Sequence, residues 1–314
     1  MHAGSGRIDT LAMYPMSLFK SGESNGSISL MALFNAPDAL GDGCESSLSI
    51  DELIFSACRG GWPSAVLKKS DRAKLLVAQR YFEGLCREYM SNVDGVKRKE
   101  ATTRLLLRSY ARNISTTASN QSIINDINAN AELSDSTFYE YVNMLKKLYV
   151  IQDVEAWCPA IRSKSAIQAT NKREFVDPSL VVAALGVESD YFNLDLKTFG
   201  FIFETLCIRD LKIYSAAHGG MASYYRDRYG LEADCVLHLR DGRYALIEFK
   251  LGSADIDDGA KHLCQIESLI EKYNQQEQQV KLRLPDLKIV VTGTQYGYKR
   301  EDGVLVVPIG CLKD

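Results

Sequence analysis

The sequence predicts a multi-domain α/β protein: a helical, winged-helix middle followed by an α/β domain of element order αβββαβ. Three observations carry this. Leu231–Leu251 alternates apolar and polar residues on either side of Arg240-Asp241-Gly242, as a β-hairpin with one buried face does. Residues 97–155 carry apolar side chains at helical spacing, a serine cap and then a short alternating stretch, the order of a winged helix-turn-helix. Residues 287–292 and 303–308 are apolar runs of strand length, which suit buried strands.

The 314 residues are enough for two or three domains. Hydrophobic residues make up 46% and charged residues 25%, an ordinary globular balance. The net charge of −3 and pI of about 5.9 give no global attraction to nucleic acid, so any such contact must use local patches. The eight cysteines are scattered without a C-x-x-C pair, which predicts reduced thiols and a cytoplasmic location. The four histidines are dispersed, against a zinc site. No apolar run approaches the roughly 18 residues of a membrane span, and the first ten residues lack a signal core; no membrane contact is expected.

Taken in order, residues 1–45 form a first region, with a strand expected over Arg7–Met13 that Pro15 ends. Residues 46–96 read as a helical, lid-like region. Asp51 and Glu52 suit the positive end of a helix dipole. That helix stops at Arg59-Gly60-Gly61-Trp62-Pro63, a strong breaker read as a structural turn with Trp62 packed over it. Ser70 caps the next helix, to about Tyr89.

In residues 97–155, Arg104, Arg108 and Arg112 stand at i, i+4 and i+8 on one helix and form a basic stripe. A shorter helix starts at Asn120, Ser134 caps a third, and Tyr149–Val154 alternates like a wing strand. Asp135 and Glu140 on the third helix oppose direct reading of a major groove. The arginine stripe suits phosphates or acidic partners. A second basic run, Arg162, Lys164, Lys172 and Arg173, reads either as a groove for a nucleic-acid backbone or as a solvated loop.

The last region, 156–314, contains a helix through Phe201–Tyr214, with Glu204 among apolar neighbours and Arg209 or Lys212 as its alternative partners. After it come a strand at Ser223–Asp227, the hairpin, a helix at Asp255–Tyr273 and further strands. A three-residue hairpin loop sets Asp234 opposite Glu248 and Glu232 opposite Lys250. Opposed residues share a face, so three carboxylates and a lysine meet there. A two-residue turn would shift the pairing by one and dissolve the cluster. Opposed like charges are unfavourable. A divalent cation removes the repulsion, and hard oxygen ligands suit Mg²⁺ or Mn²⁺. A lysine beside such an ion serves phosphodiester hydrolysis by holding the attacking water. The plainer reading is a lysine-bridged charge cluster on an exposed sheet. Lys261 and Gln265 on the next helix are further candidates to reach this site.

Asp234 followed by Glu248-Phe249-Lys250 resembles the PD-(D/E)xK nuclease motif. The wording Gly200-Phe-Ile-Phe-Glu204, and that from Arg226 to Gly252, resembles the C-terminal DUF4143 domain of prokaryotic ATP-binding, AAA-like proteins. This resemblance implies a nuclease-like domain with Asp234, Glu248, Lys250 and Glu204 as catalytic residues. It implies Mg²⁺ or Mn²⁺ held by Asp234, Glu248 and the Phe249 carbonyl, with Glu232 assisting. Residues 4–34 resemble the segment after the sensor-1 strand in the same proteins' ATPase core, with Arg7 at their Gly-Arg position. No G-x(4)-G-K-[ST] loop is present. The chain therefore resembles a member lacking its P-loop half: ATP is expected only in a full-length relative, and no ATPase activity from these residues. Two functions are expected from this. One is a Mg²⁺-dependent nuclease acting on nucleic acid; the other is a non-catalytic module that binds a protein or DNA.

Overall fold

Apolar residues at helical spacing early in the chain, and at strand spacing later, close into helices packed on a mixed seven-stranded sheet. The computed structural model describes residues 12–90, 95–96, 98–160, 169–276 and 280–314. Most of the strand expected at Arg7–Met13, together with Arg7 itself, lies outside them.

Helix α1 (Ile50–Arg59) opens on a reciprocal capping box between Ser49 and Glu52, so the acids at its start satisfy free N–H groups. It ends where Gly60 adopts φ 74 and Gly61 presses on the Met16 backbone. Trp62 packs over this turn, 5.2 Å from the Tyr81 ring. Helix α2 (Asp71–Gly84) starts from its Ser70 cap and runs on into a π-helical turn, Leu85–Tyr89. Then come α3 (Glu100–Arg112), α4 (Asn120–Asn128) and α5 (Asp135–Lys147), the last two capped by Ser119 and Ser134. Beyond α5 the expected wing is reduced to two antiparallel bridges, Ile151 with Phe175 and Val154 with Lys172. Helices α6 (Pro178–Leu185) and α7 (Leu196–Ser215) lead into the sheet.

The sheet's chain order begins with β1 (Cys44–Glu45), far from the rest in sequence. It continues with β2 (Met221–Arg226), β3 (Glu232–His238), β4 (Tyr244–Lys250), β5 (Leu287–Thr292), β6 (Tyr296–Lys299) and β7 (Leu305–Pro308). Strands β2, β3 and β4 form an antiparallel meander. Helix α8 (Ile256–Gln275) then crosses over, and β5 lies parallel to β4. The spatial order is β1-β6-β7-β5-β4-β3-β2. Strand β6 is not expected from the sequence: its Tyr-Gly-Tyr-Lys has one buried position among four, too little periodicity to mark a strand.

Both faces of the sheet are buried. Cys235, Leu237, Ala245 and Ile247 face the large core that includes α7. Val236, Leu246, Val290 and Val306 face Ile256, Leu263 and Ile266 of α8. The even-numbered hairpin face is therefore not an exposed polar surface, because α8 covers it.

The N-terminal stretch returns to the C-terminal sheet. β1 pairs with β6 at the edge, and Ile28–Ser29 pairs in parallel with Leu312–Lys313. Leu18, Leu30, Leu33 and Phe34 join the core that holds α7. A buried ionic group fixes this junction. Arg209 of α7 pairs with Asp177 at 3.0 Å and Asp210 at 2.7 Å. Asp177 accepts the Gly61 N–H at 2.9 Å, and Asp210 accepts the Leu18 N–H at 2.9 Å. Each buried carboxylate thus has Arg209 as its ionic partner and a backbone N–H as a donor.

Candidate functional site

Loop length fixes the register of the hairpin. Leu239 donates to the Arg243 carbonyl at 2.8 Å across Arg240–Gly242, and Gly242 takes φ 87, a backbone region open to glycine at little cost. Cys235 then pairs with Ile247 and Val236 with Leu246, the register a three-residue loop predicts, but the ladder stops one residue short of Asp234 and Glu248.

Strict alternation fails beside that position. Ser223 pairs with Val236 but Tyr225 with Ala233, so β3 carries one extra residue, a bulge at Asp234 and Cys235. Ala233 consequently packs with Val236 under α8, while Cys235 faces α7. The ladder to β4 ends at Cys235, and the Asp234 carboxylate instead accepts the Phe249 N–H at 2.9 Å. A side chain thus satisfies a backbone donor that the ladder leaves free.

Around the bulge, carboxylates and lysines pair. Lys172 reaches Glu204 of α7 at 2.5 Å, donates to the Asp234 carbonyl at 3.2 Å and stands 4.0 Å from its Oδ1. Lys250 binds Glu248 Oε2 at 2.6 Å. Glu248 is 1% exposed. Its other oxygen, Oε1, has no hydrogen-bond partner and lies 3.8 Å from His262 Nδ1, which also has none. Gly259 lets α8 come this close: a Cβ there would sit 3.0 Å from Lys250 Cε and 3.4 Å from Glu248 Cβ.

The electrostatics follow from burial. Burial, then the Asp234 charge, pushes the Glu248 carboxyl up to about 8 against the pull of Lys250. Burial works against the Lys172 ammonium, but Glu204 and Asp234 hold its pKa above the ordinary lysine value. Further inside, burial raises Glu174 to about 7 despite hydrogen bonds from Thr205 and Ser115. Crowded carboxylates in a dry setting favour either protons or cations.

One corner of this arrangement is left without a partner. Among the described residues no three His, Cys, Asp or Glu side chains converge as an ion-binding group. Lysines neutralise Glu204 and Glu248. The open corner is Glu248 Oε1, an unsatisfied buried acceptor, and buried acceptors without partners are rare enough to need a cause.

The other candidate residues disperse. Glu232 turns to Arg226 at 3.7 Å rather than to Lys250, and Glu204 takes Lys172 rather than Arg209 or Lys212. Lys261 and Gln265 line a separate cavity of about 620 Å³ with Asp257, Arg300 and Asp302. Arg104 forks onto Glu83 at 2.8 and 2.9 Å and also meets Glu100, while Arg112 holds Asp126 at 2.6 Å. Arg108 is exposed, with no ion pair among the described residues. Arg162 and Lys164 lie outside the described residues. Lys172 and Arg173 are buried, Arg173 on the Ala118 carbonyl, Asn120 and the Tyr110 ring. The run ending in Lys172 and Arg173 is therefore not a solvated groove at that end. Helix α5 exposes Asp135, Tyr139, Glu140, Asn143 and Lys147 as its sequence pattern required.

His262 stands beside Glu248, a neighbour that sequence reasoning missed. Its only signal was the spacing Gly259, His262, Ile266, which sets it at the border of the helix face turned to β4.

Comparison with known families identifies two stretches. Residues 199–312 are a DUF4143 domain, a domain of unknown function, and residues 50–191 match a second domain of unknown function, DUF8612. No curated protein and no solved structure matches the chain. Among the described residues no helix is long and apolar enough to cross a membrane.

Proposed function

We propose that the DUF4143 domain at residues 199–312 carries a divalent-metal-dependent site for phosphodiester hydrolysis on nucleic acid, of the PD-(D/E)xK type. The observation that carries this is Glu248: a buried carboxylate with one unsatisfied oxygen, beside Asp234 and two residues from Lys250. The element order α7-β2-β3-β4-α8-β5 supports it, with the aspartate on the second strand and Glu-x-Lys on the third. Mg²⁺ or Mn²⁺ would be held by Asp234, Glu248 and the Phe249 carbonyl. When bound, the ion neutralises phosphate charge and lowers the pKa of a coordinated water. Lys250, half-buried and held charged by Glu248 and Asp234, orients the water oxygen that forms the new P–O bond as the ester bond breaks. Asp234 is fixed for this by the Phe249 N–H. Glu204, tied to Lys172, helps to position the Asp234 backbone through that lysine. ATP enters this reading only for a longer relative with a phosphate-binding loop.

Supercoiled plasmid and single-stranded DNA and RNA, incubated with the full chain and MnCl₂, test the proposal. Glu248→Ala and Lys250→Ala should each lower cleavage by roughly 100-fold or more. Cleavage that survives both substitutions sinks the assigned mechanism.

A second reading rests on the lysine pairing. Because Lys172 and Lys250 already neutralise two carboxylates, the cluster also suits a non-catalytic module that binds a protein or DNA. Calorimetry separates the two. No heat with MgCl₂ or MnCl₂, together with a metal-free Asp234→Ala variant of higher Tm, favours the interaction module.

A further inference from the structure

Two buried polar atoms lack partners and face each other across 3.8 Å, Glu248 Oε1 and His262 Nδ1. Comparable buried groups in this chain are satisfied, Asp177, Glu174 and Asp210 among them. The gap is too long for a direct hydrogen bond. A water about 2.9 Å from each atom would see them at roughly 80°, and a metal ion about 2.1 Å from each at roughly 130°, so a small shift of the imidazole lets either bridge the gap.

The surroundings favour the ion. Lys250 occupies Glu248 Oε2, which leaves Oε1 as the free oxygen. Gly259 sets α8 against Lys250 and Glu248, and His262 comes one turn later on the same helix. The imidazole is partly exposed, so Nε2 can carry the ring proton toward solvent while Nδ1 offers its lone pair inward.

We propose that His262 is a nitrogen ligand of the divalent ion at Glu248, and that this ligand makes the site prefer a first-row transition ion such as Mn²⁺ or Co²⁺ over Mg²⁺. The proposal rests on the reading of Glu248 as a metal ligand and adds the residue that selects the ion. Imidazole suits transition ions, whereas Mg²⁺ demands oxygen ligands and gives up water reluctantly. No group of three such side chains is preformed among the described residues, so Asp234 would turn from the Phe249 N–H to join Glu248 and His262, and water or a substrate oxygen would complete the coordination. That leaves the open positions a catalytic ion needs.

The test uses the full chain stripped with a chelator. Calorimetry with MnCl₂, CoCl₂ and MgCl₂ should show Mn²⁺ and Co²⁺ binding at least about 10-fold more tightly than Mg²⁺. His262→Ala should weaken Mn²⁺ and Co²⁺ by roughly 10- to 100-fold and leave Mg²⁺ nearly unchanged. Glu248→Gln should remove all three. Pulsed electron paramagnetic resonance of the Mn²⁺-loaded wild type needs no variant and should show a directly bonded nitrogen. Unchanged Mn²⁺ affinity in His262→Ala, or no nitrogen coupling in wild type, overturns the histidine ligand and leaves Glu248 as a metal ligand intact. No heat from wild type with any of the three ions overturns both.

Discussion

Glu248 makes the charge of the hairpin cluster depend on pH. The folded chain holds its proton up to about pH 8, whereas an ordinary glutamate releases it near 4.5. Between those values the native state binds more protons than the unfolded state, so stability falls as pH rises. Glu174, raised to about 7, acts in the same direction. In metal-free buffer the urea midpoint should therefore drop from about pH 5 to about pH 8, by at most roughly 1.4 kcal/mol per pH unit for each group. Glu248→Gln should flatten part of that slope; a wild-type midpoint that rises over the same window contradicts the assignment. Lys172 allows a second measurement. With its partner removed, Glu204 would be a buried carboxylate facing Asp234, so Lys172→Met should cost about 3–5 kcal/mol in urea unfolding. Lys172→Met combined with Glu204→Met should recover most of that loss, because both charges are then gone. A double variant as unstable as the single one would mean that Lys172 acts through packing alone.

The approach of α8 to β4 decides what Glu248 and Lys250 can do, and Gly259 permits it. Gly259→Ala adds a Cβ 3.0 Å from Lys250 Cε, the movable end of a long side chain. The helix gains up to about 1 kcal/mol from the substitution, so stability should hold or rise while Lys250 shifts off Glu248. Gly259→Val pushes branched atoms into the same space and should cost about 1–3 kcal/mol. A valine variant with wild-type Tm would show that the contact is loose. These elements also show where the sequence was readable. Hairpin register followed from Arg240-Asp241-Gly242 and parity, because a pleat fixes the face of every residue once the loop length is known. Helix α5 followed from its Ser134 cap and apolar spacing, whereas the Ser119 cap of α4 was not read from the sequence. The bulge at Asp234 was invisible, since an extra residue in β3 leaves its local pattern unchanged and shows only against β2. Polar residues at Glu232, Asp234 and His238 suggested a wet face, although Val236, Leu246 and Tyr244 on it pack against α8. The arginine stripe was legible as a stripe, but its partners Glu83 and Asp126 come from other helices, and helical spacing cannot name them.

Across the whole molecule, the N-terminal residues are structural members of the C-terminal sheet. Strand β1 closes the edge of β6, Ser24 donates to the Leu312 carbonyl, and Arg243 in the hairpin donates to the Phe34 carbonyl. The Leu18 N–H ends on Asp210, within the buried ionic group that also holds the Gly60-Gly61 turn and α6. Leu18, Leu30, Leu33 and Phe34 are each at most 5% exposed. At about 1.5–3 kcal/mol apiece, their burial contributes roughly 6–12 kcal/mol, the scale of an entire domain's net stability of about 5–15 kcal/mol. Removing residues 1–45 should therefore not release a working DUF4143 domain. The 46–314 fragment should lose cooperative thermal unfolding and bind a hydrophobic dye, because its β6 edge, the α7 core and the Asp210 carboxylate are uncovered together. Circular dichroism melting of the fragment beside the full chain checks this. A fragment that melts cooperatively within about 2 °C of the full chain, a difference of about 1 kcal/mol for a chain of this length, would show that the N-terminal residues decorate a sheet already stable without them.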